Sequence, residues 1–185
     1  MKTTILAAPI ALVAAGYFNT NAGSKLYVCA TPQPTDLTAS AFAALTWVLV
    51  GGVGNVGETG DNTNVLSYDT WDDAVVQKAK GLTDAGSPEI EVARDPSDAG
   101  QDILRAAAQT NFYYAFKIEG TDVPNSNPAS TPTIRYNRGL VAGPREPNGR
   151  NEDFDLEIFT LGLVQKQIKV DPVAAVAAVA AVARP

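Results

Sequence analysis

The run Gly52-Val53-Gly54-Asn55-Val56-Gly57 has the G-x-G-x-x-G spacing that cradles a dinucleotide pyrophosphate, and it follows the apolar stretch Val48–Val50. That chemistry needs the third glycine to open a helix, because the phosphates sit on the helix N-terminus. Here Gly57 leads into Glu58-Thr59-Gly60-Asp61-Asn62-Thr63-Asn64, a poor helix former. The surroundings lack a βαβ pattern. The glycines therefore read as a strand end with a bulge that runs into a polar loop. The chain has no histidine and one cysteine, Cys29, which lies in the apolar run KLYVCA and is expected to be a small buried residue. There is no G-K-[ST] loop, no G-x-S-x-G elbow and no H-E-x-x-H pair. Asp61-Asn62-Thr63-Asn64 resembles the opening of a calcium loop but lacks its glycine and closing glutamate. The expectation is a non-enzyme without cofactor or metal.

Carboxylates are plentiful but regular. Glu89 and Glu91 flank Ile90, and Asp153, Asp155 and Glu157 alternate with Phe154 and Leu156. Such spacing makes solvated strand faces rather than an acid/base pair, which needs two different environments. With 20 acidic and 14 basic residues the net charge is −6, which disfavours binding of nucleic-acid phosphates.

These residues need strands to carry them, and the middle of the chain supplies strands. KLYVC, LTWVLVGGV, NVLSYDT, AVVQKAKG, PEIEVAR, NFYYAFKIEG, TPTIRYN, EDFDLEIFTLGL and KQIKVD are each bounded by turn residues. In PEIEVAR, Ile90 and Val92 share a face. In NFYYAFKIEG, Tyr114, Phe116 and Ile118 share one. In EDFDLEIFTLGL, Phe154, Leu156 and Ile158 are expected inside and Asp153, Asp155 and Glu157 outside. One interior segment reads as a helix, residues 97–109, with Ser97 or Asp98 as N-cap and Asp98 and Asp102 at the positive end of its dipole. The expected fold is mainly β, a β-sandwich or open barrel with one short flanking helix, on the border of α+β.

Both ends differ from this middle. Residues 1–24 form an apolar arm, and residues 173–185 repeat valine and alanine. The first residues also have the composition of a secretory leader, but Pro9 interrupts a run too short for a comfortable membrane span, so no stable membrane insertion is expected. Apolar tails left in water are aggregation hazards, and neighbouring subunits are expected to cover them.

In order along the chain, Tyr68-Asp69-Thr70-Trp71-Asp72, the run Lys78-Ala79-Lys80-Gly81-Leu82-Thr83-Asp84-Ala85-Gly86, an alternating strand, Asp98-Ala99-Gly100-Gln101 opening the helix, and the closing stretch TIRYNRGLVAGPREPNGRNEDFDLEIFTLGL resemble the major tail tube proteins of long-tailed, non-contractile bacteriophages. The resemblance spans residues 25–172, and type VI secretion tubes share the architecture. It implies a virion subunit assembled in the host cytoplasm. Hexameric rings would stack around a tape-measure protein, meet tail terminator and distal tail proteins, and let DNA pass during ejection without binding it specifically. On that reading Glu89, Glu91, Asp153, Asp155 and Glu157 contribute to an acidic lumen, though an outer-wall or between-ring position stays open. Glu58, Asp61, Asn62 and Asn64 form an inter-ring loop. Arg138, Arg145 and Arg150 pair with acidic groups of a neighbour or lie in solvated turns. Three alternatives remain: an exported β-sandwich binding module, a nucleotide-dependent enzyme, and another virion ring or decoration protein.

Overall fold

The structure, a computed structural model, describes residues 20–124 and 129–175. Its first strand, β1 (Lys25–Val28), is followed by a short helix, α1 (Ala39–Ala43), capped by Thr38 Oγ1, which accepts from Ala41 N. Then come β2 (Val48–Val50), β3 (Val53–Val56), β4 (Asn62–Tyr68), β5 (Gln77–Asp84) and β6 (Glu89–Ala93). The second helix, α2 (Ala99–Ala108), precedes β7 (Tyr114–Glu119), β8 (Ile134–Arg145), β9 (Leu156–Leu163) and β10 (Ile168–Val170). The mainly β expectation holds. Among the described residues there are two helices rather than one, because a five-residue helix leaves no periodic signal in the sequence.

Eight strands form one antiparallel sheet in the order β2-β1-β7-β8-β9-β6-β3, with β10 on β8. The long β8 serves two neighbours along one edge: Ile134–Tyr136 pair with β10 and Gly139–Ala142 with β9. The sheet curls. Leu26 of β1 and Val56 of β3, from far apart in the strand order, line the same open cavity of about 560 Å³. Leu26, Val28, Val50, Ile90, Val92, Phe116, Phe159 and Leu161 converge with Leu104 and Ala107 of α2 in the main core. On the opposite face Phe42 of α1 stacks on Tyr136 at 5.0 Å, with Trp47, Cys29 and Ala115 around them. Burial and then the Glu119 charge push the Tyr136 hydroxyl above its ordinary value.

The remaining two strands, β4 and β5, pair only with each other and form a separate ribbon. The N-terminal arm of the sequence reading falls mostly outside the described residues, as does the C-terminal tail beyond residue 175. Val173 forms an isolated bridge to Thr131.

Candidate assembly surfaces

The glycine motif proves to be a kink. Gly51 and Gly52 let one strand leave β1, as β2, and rejoin the sheet beside β6, as β3. Gly52 has φ +67, and a Cβ there would lie 2.7 Å from Ala93 O. Only glycine fits such a bend. The N-terminus of α2 clamps it. Asp98 caps the helix by accepting from Gln101 N at 2.7 Å, and its other oxygen accepts from Gly51 N at 3.2 Å. The buried Gln101 amide donates to Gly51 O and Ala93 O, both at 2.9 Å. A Cβ on Gly100 would meet Leu49 O at 2.3 Å, so α2 rests directly on β2. Gly51 N and O, Gly52 O and Gly57 N are spent on contacts within the fold, and the element after Gly57 is β4, not a helix.

The acidic residues separate into three environments. Glu89 and Glu91 stand on the face of β6 opposite the main core, as the alternation predicts. Asp153 and Asp155 are exposed, and Asp155 pairs with Arg94 at 3.3 Å. Glu157 corrects the sequence reading. It is 1 % exposed and shares the core-facing side of β9 with Phe159, Leu161 and Leu163, while Phe154 is 80 % exposed. The in/out phase of β9 is thus the reverse of that expected. Arg105 of α2 donates Nε to both oxygens of Glu157, at 3.1 and 2.9 Å, and Arg94 Nε lies 3.3 Å away. Burial alone opposes the Arg105 charge, but Glu157 and then Asp102 outweigh it and raise its pKa. Glu157 is a buried tether for the helix.

The arginines also divide. Arg138 is nearly buried, so it is not free to meet a neighbour, contrary to expectation. Its guanidinium pairs with Asp36, donates to Gln33 O at 3.1 Å and lies 5.0 Å from the Tyr113 ring. It staples the segment after β1 onto β8. Arg145 is exposed and pairs with Glu89 of its own chain. Arg150 is exposed in the turn between β8 and β9, where its backbone N–H donates to Asp153.

The polar loop expected between rings is the neck of something larger. Glu58 is exposed, and Asp61 accepts from Gln167 N at 3.2 Å, which ties the loop to the turn before β10. Asn62 and Asn64 lie in β4. What projects is the β4–β5 ribbon and its tip, residues 69–76. Its apolar side chains are bare: Leu66 is 54 %, Tyr68 73 %, Trp71 107 % and Leu82 89 % exposed. The run NVLSYDT read as a strand, but nothing in the sequence marked its lack of a covering layer.

Among the described residues no cluster could hold a metal, and no helix is long and apolar enough to cross a membrane. No protein-family model matches the chain, and no curated protein matches it. Solved structures do share its fold. The sheath/tube terminator structure of the PVC extracellular contractile injection system, in its extended state, contains a chain that superposes with a TM-score of 0.61 at 11 % identity. That alignment covers 85 % of this chain and 99 % of the other. A chain of the anti-feeding prophage baseplate aligns at 10 % identity over 80 % of this chain and 91 % of its own, with a TM-score of 0.49.

Proposed function

We propose that the protein is a ring-forming structural subunit of a phage-tail-like tube. The observation that carries this reading is the bare β4–β5 ribbon. A two-stranded ribbon is marginal alone in water and needs a covering layer. Bare apolar side chains on both faces of a projecting element, Val65 on one and Leu66 and Tyr68 on the other, mark an interaction site. The ribbon belongs to a fold shared with a component of a contractile injection system, and its sequence order resembles tail tube proteins. Hexameric rings stacked around a tape measure, in a virion, with DNA passing through the bore, are the finer form of the proposal. The net charge of −6 suits a conduit that must not hold DNA. A second reading, a terminator ring that caps the tube instead of extending it, is favoured by the near-complete alignment with a chain of a sheath/tube terminator structure.

Electron microscopy of the purified chain tests both. A tube subunit gives hollow filaments, a terminator gives single or paired rings, and a protein that stays monomeric at high concentration refutes both. Replacing residues 69–76 with a two-residue turn should leave a folded monomer; normal tubes from that variant would remove the ribbon from the argument.

A further inference from the structure

The lysine-bearing side of the ribbon and the acidic side of β6–β9 carry matching patterns. In the ribbon, Val65 stands opposite Lys80 and Ser67 opposite Lys78, so one face presents a β-branched residue beside a lysine and then a hydroxyl beside a lysine. In the main sheet, Ile158 stands opposite Glu91 and Thr160 opposite Glu89. That face presents a β-branched residue beside a glutamate and then a hydroxyl beside a glutamate, at the same two-residue step. Cross-strand partners share a face in antiparallel sheets, so each set forms one surface. Lys78 and Lys80 are exposed and form no ion pair among the described residues. Glu89 is exposed and pairs with Arg145 of its own chain, which stands opposite Ile158 on this face; Glu91 is half-buried, and neither glutamate belongs to the packed core.

We propose that the Lys78/Lys80 face of the ribbon docks on the Glu89/Glu91 face of a second copy of this chain. The deduction rests on the ring-forming reading above and names its contact. The short connection opposes a meeting of the two surfaces within one chain. β5 ends at Asp84 and β6 begins at Glu89, so only four residues join the ribbon to the strand that bears the glutamates. Folding it back would require a full reversal across those four residues, two of which are held on β9: Pro88 O accepts from Leu161 N and Gly86 O from Leu163 N. The contact joins two different patches, so it is heterologous, and repeating it closes a ring or extends a filament. Opposite charges fix register and reject wrong partners, while Val65 against Ile158 supplies apolar contact. This places Glu89 and Glu91 between subunits rather than in a bore.

Charge reversal tests the pairing. The variants are Lys78→Glu with Lys80→Glu, Glu89→Lys with Glu91→Lys, and all four changes together, read by sedimentation and electron microscopy. Thermal melting of each checks that the subunit is folded. Each pairwise reversal should abolish assembly. The fourfold variant should assemble, and so should an equimolar mixture of the two pairwise variants, because each then offers the other a complementary surface. Should a reversed variant melt below the parent, the pairs Lys78→Gln with Lys80→Gln and Glu89→Gln with Glu91→Gln replace it, and each should weaken assembly. Parent protein that assembles beside pairwise variants that assemble equally well overturns the pairing and leaves the proposed function standing. Folded pairwise variants that fail both in the mixture and in the fourfold form also overturn it. A parent that never associates overturns both.

Discussion

Removing the Arg105 guanidinium should cost more than removing that of Arg94, although both reach Glu157. Glu157 is buried at 2 % side-chain exposure, Arg105 is 25 % exposed and Arg94 45 %. Orphaning a buried charge typically costs about 3–5 kcal/mol. In Arg105→Met the Glu157 carboxylate keeps Arg94 at 3.3 Å, so the expected loss is about 2–3 kcal/mol. In Arg94→Met both strong bonds from Arg105 survive, and what goes is a half-exposed partner worth under about 1 kcal/mol. Glu157→Met combined with Arg105→Met replaces charge by apolar volume and should cost less than the sum of its single changes, with a coupling of about 1.5 kcal/mol or more. Urea unfolding followed by far-ultraviolet circular dichroism measures this. With a slope of about 2 kcal/mol per molar, Arg105→Met should move the midpoint down by about 1 M. Equal losses from the two arginine variants, or strict additivity in the double variant, would refute the view that Glu157 anchors α2 mainly through Arg105.

Three further outcomes follow from the same geometry. Gly100→Ala should lower stability by about 1–3 kcal/mol, because the new methyl group meets the Leu49 carbonyl at 2.3 Å and the helix must lift off β2; a melt within about 0.5 kcal/mol of the parent contradicts that close approach. Asp98→Ala should cost about 1–2 kcal/mol through the lost cap and the lost bond from Gly51, with Asp98→Asn recovering the cap but not the bond from Gly51; equal losses from both would show that the cap oxygen is not what matters. The side-chain bond from Thr133, aided by its backbone N–H and opposed by burial, holds the Asp122 carboxyl below its ordinary 3.8. Its contribution is therefore present above that value and disappears as pH falls through the lowered one. The stability gap between parent and Asp122→Asn should narrow on acidification, and a gap that is constant with pH rules this out.

How far the fold was legible depended on what set each feature. Strict alternation in Glu89–Ala93 and Tyr114–Glu119 placed their core faces correctly, because large apolar side chains filled one whole phase of each. The cap Asp98 and the apolar stripe of α2 marked the helix to within a residue or two. The glycine spacing was correctly set aside, since the residues after Gly57 do not form a helix. Local pattern failed where a long-range partner reversed its meaning. In β9 the apolar residues before Ile158 suggest one phase and those from Phe159 onward the other, and the Arg105 partner is what allows Glu157 to sit in the buried one. Arg138 looked like a surface residue in a turn-rich stretch until Asp36, about a hundred positions away in sequence, closed over it.

By itself the sequence determined most of the strands, the helix α2, the absence of histidine chemistry and the acidic balance, because each is a matter of composition or of neighbours a few residues apart. Tertiary structure alone decided which carboxylates are tethers and which are free, and that the β4–β5 ribbon stands clear of the core. Those outcomes depend on which distant groups approach, and short-range periodicity carries no record of that.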